Sequence, residues 1–89
     1  MWFISMVKFR RKPNKMDLEQ MKSYWMEAEK WGVKRHEAFW TLGRYDAVFI
    51  SEAPDEKTML KFAIQTPSDL GATETMVAVS RDEAASWVK

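Results

Sequence analysis

One histidine, two tyrosines and no cysteine limit the side-chain chemistry available to this 89-residue chain. His36 offers an imidazole whose ordinary pKa suits proton transfer near neutrality. Tyr45 offers a phenol that donates a hydrogen bond, with Asp46 beside it, and Glu74 is a carboxylate inside an apolar run, "TETMVAV". Together these residue types fit proton transfer at a small organic ligand held among aromatic side chains such as Trp40 and Phe49. Each has a plainer reading. His36 is then a strand-end residue near solvent, Tyr45 packs beside a turn, Asp46 bonds backbone or Thr41, and Glu74 pairs with a base across strands. A lone histidine without cysteine makes no metal site, and no metal is expected. Three glycines are too few and too scattered for a phosphate loop or a dinucleotide fingerprint, and no serine elbow is present.

Positioning these residues falls to one small domain, expected over residues 1–89. Apolar residues make up 46% and charged residues 30%, a globular balance. No apolar run reaches the ~20 residues that cross a bilayer, and in "MWFISMVKFRRK" the charges follow the apolar part, unlike a secretory signal. The expected location is cytoplasmic, with no membrane partner.

"WFISMVKF" (Trp2–Phe9) reads as a strand. Leu18, Met21, Trp25, Ala28 and Trp31 recur at helical spacing, with Asp17 and Gln20 as a capping box and Gly32 as the stop. Val33–Leu42 and Tyr45–Ala53 read as two further strands. Pro54-Asp55-Glu56 opens a second helix carrying Met59, Leu60, Ala63 and Ile64 and ending before Pro67. Ala72–Val79 is a fourth strand. Ser80 and Glu83 cap a short last helix with Ala84, Trp87 and Val88 on one side. The order β-α-β-β-α-β plus a terminal helix is α+β and ferredoxin-like: a four-stranded antiparallel sheet with both long helices on one face.

Gly43-Arg44 alone separates the middle strands. A two-residue loop with Gly first predicts a type II′ turn with positive φ at Gly43, and that turn sets a register. Leu42 then faces Tyr45, Trp40 faces Ala47, Ala38 faces Phe49 and His36 faces Ser51, all on one face. His36 and Tyr45 lie ~20 Å apart along the strands, so a shared role needs a long ligand lying over Trp40 and Phe49. Both faces of the hairpin and of the first strand carry large apolar side chains, yet two helices cover only one. A second copy is the expected cover for the other face.

Gly43, Tyr45 and Asp46 within "LGRYDAVFISEAPDEKTMLKFAI", followed by "TETMVAV", resemble the GYD-domain family, the likeness running over residues 33–79. The resemblance implies membership of the dimeric α/β-barrel group of ferredoxin-like proteins, with Gly43, Tyr45, Asp46 and Glu74 as the structural motif. Relatives in that group include ligand-binding regulators, isomerases, cofactor-free monooxygenases and haem enzymes, so the fold does not decide the activity. The expectation is a homodimer, or higher even oligomer, enclosing a small apolar or aromatic ligand at Trp40, Phe49, Tyr45 and His36. The alternatives are a cofactor-free isomerase or monooxygenase using His36 and Tyr45, or a purely structural or interaction protein. No residue demands a cofactor.

Five of the 14 basic residues and no acid lie within Lys8–Lys15, a segment that suits phosphate-rich partners. Against nucleic acid stand a net charge of only +1 and the lack of an RNA-recognition pattern on "RYDAVFIS", so a solvated loop is expected.

Overall fold

The computed structural model describes residues 1–66 and 69–88. In chain order the elements are β1 (Trp2–Phe9), α1 (Lys15–Glu29), β2 (Lys34–Trp40), β3 (Ala47–Glu52), α2 (Glu56–Gln65), β4 (Gly71–Ala78) and α3 (Arg81–Ala85). The strands form one antiparallel sheet in the order β2-β3-β1-β4, the ferredoxin-like arrangement expected from the element order.

Strand β1 shows how the two faces divide. Phe3, Ser5 and Val7 are buried, and the register places Ser51, Phe49 and Ala47 of β3 beside them. Trp25 and Ala28 from α1, and Met59 and Phe62 from α2, complete this core with Val33 and Ala53. The opposite face carries Trp2, Ile4 and Met6 from β1, Val48 and Ile50 from β3, Phe39 from β2 and Met76 from β4. Among the described residues no element covers it: Phe39 is 51% exposed and Met76 42%.

Local chemistry explains the helix boundaries. Helix α1 starts earlier than the apolar spacing suggests, because Asn14 caps it. The Asn14 side chain accepts from the Asp17 N–H at 2.8 Å, and the Asp17 carboxylate accepts from the Asn14 N–H at 2.8 Å. That reciprocal box replaces the expected Asp17/Gln20 pair. Helix α2 is capped by Asp55, whose carboxylate accepts the Thr58 N–H at 2.7 Å. This bond holds the Asp55 carboxyl below its ordinary value. Helix α2 turns Met59 and Phe62 inward rather than Leu60 and Ile64, which are 60% and 73% exposed. It ends at Gln65, and Pro67 lies outside the described residues. Ser80 caps α3 as expected, but the helix is one turn long, and Trp87 and Val88 beyond it are exposed.

The β2–β3 connection departs from the two-residue turn. Gly43 does take positive φ, +104°. Pairing stops one step earlier, however, with the Thr41 N–H donating to the Asp46 carbonyl at 2.9 Å. The Thr41 hydroxyl donates to the Tyr45 carbonyl at 2.7 Å, which leaves Leu42–Tyr45 as a four-residue loop. The expected Leu42–Tyr45 pair is therefore replaced, while Trp40 opposite Ala47 and Ala38 opposite Phe49 stand as the turn implied.

Farther along, a β-bulge at His36 breaks the register. Arg35, not His36, sits opposite Ser51, and Lys34 sits opposite Glu52. The extra residue puts Arg35 on the helix-covered face and sends the His36 ring to the open one.

Candidate functional site

A cavity of about 610 Å³ opens between the sheet and the two long helices. Its size falls within the range of small-molecule pockets, and its walls are mostly apolar. Trp25 is the central wall residue, with its ring centroid 5.6 Å from Phe49 and 4.6 Å from Phe62. At one end Trp40, 64% exposed, meets Phe9 edge to face at 5.7 Å. Gly71 lets β4 approach β1 here: a Cβ at that position would stand 2.6 Å from the Lys8 carbonyl oxygen.

Hydroxyls and cations supply the polar part of the lining. Ser5 Oγ and Thr75 Oγ1 are 3.0 Å apart across β1 and β4. Arg35 lies over the Trp25 ring with its guanidinium carbon 5.6 Å from the centroid. Lys22 of α1 and Arg10 also line the space. The Trp25 indole Nε1 is buried with no acceptor among the described residues.

Of the four residues expected at a ligand site, Trp40 and Phe49 line this cavity, and His36 and Tyr45 do not. On the open face, His36 Nε2 lies 2.8 Å from Glu52 Oε1, and its ring packs tilted against Trp2 with the centroids 4.7 Å apart. The Tyr45 hydroxyl donates to Glu74 Oε2 at 2.7 Å. That bond, with lost hydration second, pushes the Tyr45 phenol above its ordinary pKa. Glu74 pairs with Met6 and Glu52 with Trp2 along β1, which separates the two clusters by four residues, about 14 Å. A His–carboxylate pair and a Tyr–carboxylate pair can each hold a proton, but they sit at opposite ends of the sheet.

Asp46 ties the hairpin to β1. Its carboxylate accepts the Phe9 N–H at 2.8 Å and pairs with Lys8 at 3.4 Å, while its own N–H donates to the Val7 carbonyl at 2.8 Å. Of the two partners expected for its side chain, the carboxylate thus takes backbone, on β1, while Thr41 meets Asp46 through the main chain alone. Within the basic segment, Arg11 forms a two-pronged pair with Asp17 at 2.6 and 2.9 Å and reaches Asp69 at 3.5 Å. This pairing, with the Asn14 N–H second, holds the Asp17 carboxyl down at about 2. Lys8 and Arg11 therefore serve contacts within the chain.

Among the wall residues that sequence reading did not place at a ligand site are Trp25, Phe62, Arg35 and Lys22. Phe62 was legible as a helical neighbour of Met59; Arg35 was hidden by the bulge. Among the described residues no His/Asp/Glu cluster could hold a metal ion, and no helix is long and apolar enough to cross a membrane.

The GYD domain family model matches residues 10–88. Comparison with curated proteins gives no match.

Proposed function

The chain belongs to the GYD-domain family, a member of the dimeric α/β-barrel group, and from that premise we propose a ligand-binding homodimer. Two copies join through their open sheet faces. Each keeps its own cavity between sheet and helices for a small apolar or aromatic ligand. The cavity walled by Trp25, Trp40, Phe49 and Phe62 carries the ligand reading, since its size and mostly apolar walls are those of a small-molecule site. The open apolar face, centred on Ile4, Met6, Val48 and Ile50, supports the second copy.

Two measurements test the reading. Light scattering at micromolar concentration should give about twice the 10.5 kDa chain mass, and Ile50→Lys should halve it. Planar aromatic compounds should raise the melting temperature and shift tryptophan fluorescence, and Trp40→Ala should weaken both effects. A monomeric wild-type protein overturns the dimer. Absence of any ligand-dependent shift across a panel of aromatic compounds overturns the binding function and leaves a structural assembly.

A further inference from the structure

The cavity's polar lining is one-sided. Its ionisable residues are Arg10, Lys22 and Arg35, and no Asp or Glu lines it among the described residues. The chain as a whole is nearly neutral, with 14 basic and 13 acidic residues. Lysine and arginine donate hydrogen bonds and accept none, and the indole N–H is also a donor only. The cavity's charged side chains therefore offer donors to a ligand and no acceptor. Lys22 and Arg35 are exposed, so their charges stay hydrated at the edge of the cavity while Trp25 and Phe62 line its depth.

We propose that the ligand is an organic acid, an apolar or aromatic body carrying one carboxylate, with Arg35 and Lys22 as its counter-ions. The inference rests on the ligand-binding reading above and adds the ligand's charge. A carboxylate is acceptor-only and planar, matching both the donor set and the fork of Arg35. An organic cation would meet like charge with no carboxylate to receive it. A neutral ligand would leave the cations without a role in binding.

The test uses three probes of one shape: 2-naphthoate, 2-naphthamide and 2-naphthylmethylammonium. Binding is read from the fluorescence of the wall tryptophans and from melting temperature. The acid should bind at least about tenfold tighter than the amide, the scale of one charge-assisted hydrogen bond. Added salt should weaken the acid and leave the amide nearly unchanged. Arg35→Gln with Lys22→Gln should remove the acid's advantage while amide binding persists. Should Arg35→Gln fail to fold, the three probes on wild-type protein and on Lys22→Gln decide. Equal binding of acid and amide overturns the proposal and leaves the cavity a neutral pocket. Tighter binding of the cation overturns it too, as does an acid advantage that survives loss of both bases. If no probe binds, this inference falls together with the binding function.

Discussion

Replacing Gly43 isolates one physical cause. Its φ of +104° is costly for any residue with a Cβ, yet a Cβ built there meets no atom within 4 Å. A substitution is therefore strained through its backbone alone, without a packing clash. The dihedral cost is about 1–2 kcal/mol for an ordinary residue and up to about 3 kcal/mol for a poorly tolerated one. Losing glycine's freedom in the unfolded chain returns about 0.4–1 kcal/mol. Gly43→Val should then destabilise by roughly 1–2 kcal/mol, and Gly43→Ala by less. At about 4–8 °C per kcal/mol for a domain of this size, Gly43→Val lowers the melting temperature by roughly 4–16 °C. The control is Arg44→Ala, next in the same exposed loop. It removes only the guanidinium lying 5.7 Å over Tyr45, an exposed contact worth about 0.5–1 kcal/mol. Thermal unfolding followed by circular dichroism, at one fixed protein concentration, measures both. A Gly43→Val effect no larger than that of Arg44→Ala would refute the assigned loop geometry.

Two pH experiments follow from the paired side chains. The Tyr45 phenol should titrate above its ordinary range by ultraviolet absorbance, and Glu74→Gln should bring it back, since the Glu74 bond is the largest cause of the shift. Because the folded pKa is raised, the stability this pair adds is whole below the unfolded value of about 10 and is lost as pH climbs through the folded one. Asp17 has the opposite sign. Its folded pKa of about 2 lies below the unfolded value, so its contribution is present above about pH 4 and is lost as pH falls toward 2. Urea midpoints across that window should fall less steeply in Arg11→Gln than in wild type. An unchanged slope would show that the Arg11 pair does not persist in solution.

The order of elements, the two-faced alternation of β1 and the positive φ of Gly43 were all legible in the sequence, because each depends on neighbours a few residues apart. The bulge at His36 was not. "KRHEAFW" contains no glycine or proline to mark it, and its four polar residues in a row, Lys34–Glu37, offer no alternation from which a change of face could be read. Missing it put His36 on the cavity face and hid Arg35, since one inserted residue exchanges the faces of everything beyond it. The shorter pairing at the loop was also hidden, because it depends on the Thr41 hydroxyl taking the Tyr45 carbonyl. The cavity itself lies beyond a one-dimensional pattern. Periodicity says which side chains of α1, α2 and the sheet face inward, and it says nothing of how far apart those layers stand.

The loop motif and the cavity, on different faces of the sheet, meet at one end of β1. Asp46 binds the Phe9 N–H where the β1–β3 ladder runs out, so a side chain continues the pairing that backbone no longer supplies. Tyr45 reaches past β1 to Glu74 on β4, bracketing the central strand from the open side. Phe9 and Gly71, which this bracket holds, form the end of the cavity with Trp40. The conformation of Gly43 thus bears on a site it never touches. It sets the loop that places Tyr45 and Asp46, these fix the end of β1, and that end shapes the aromatic wall where a ligand would enter. On this account the motif residues are positioning residues, and the residues that would meet a ligand are Trp25, Trp40, Phe49 and Phe62, with Arg35 and Lys22 beside them.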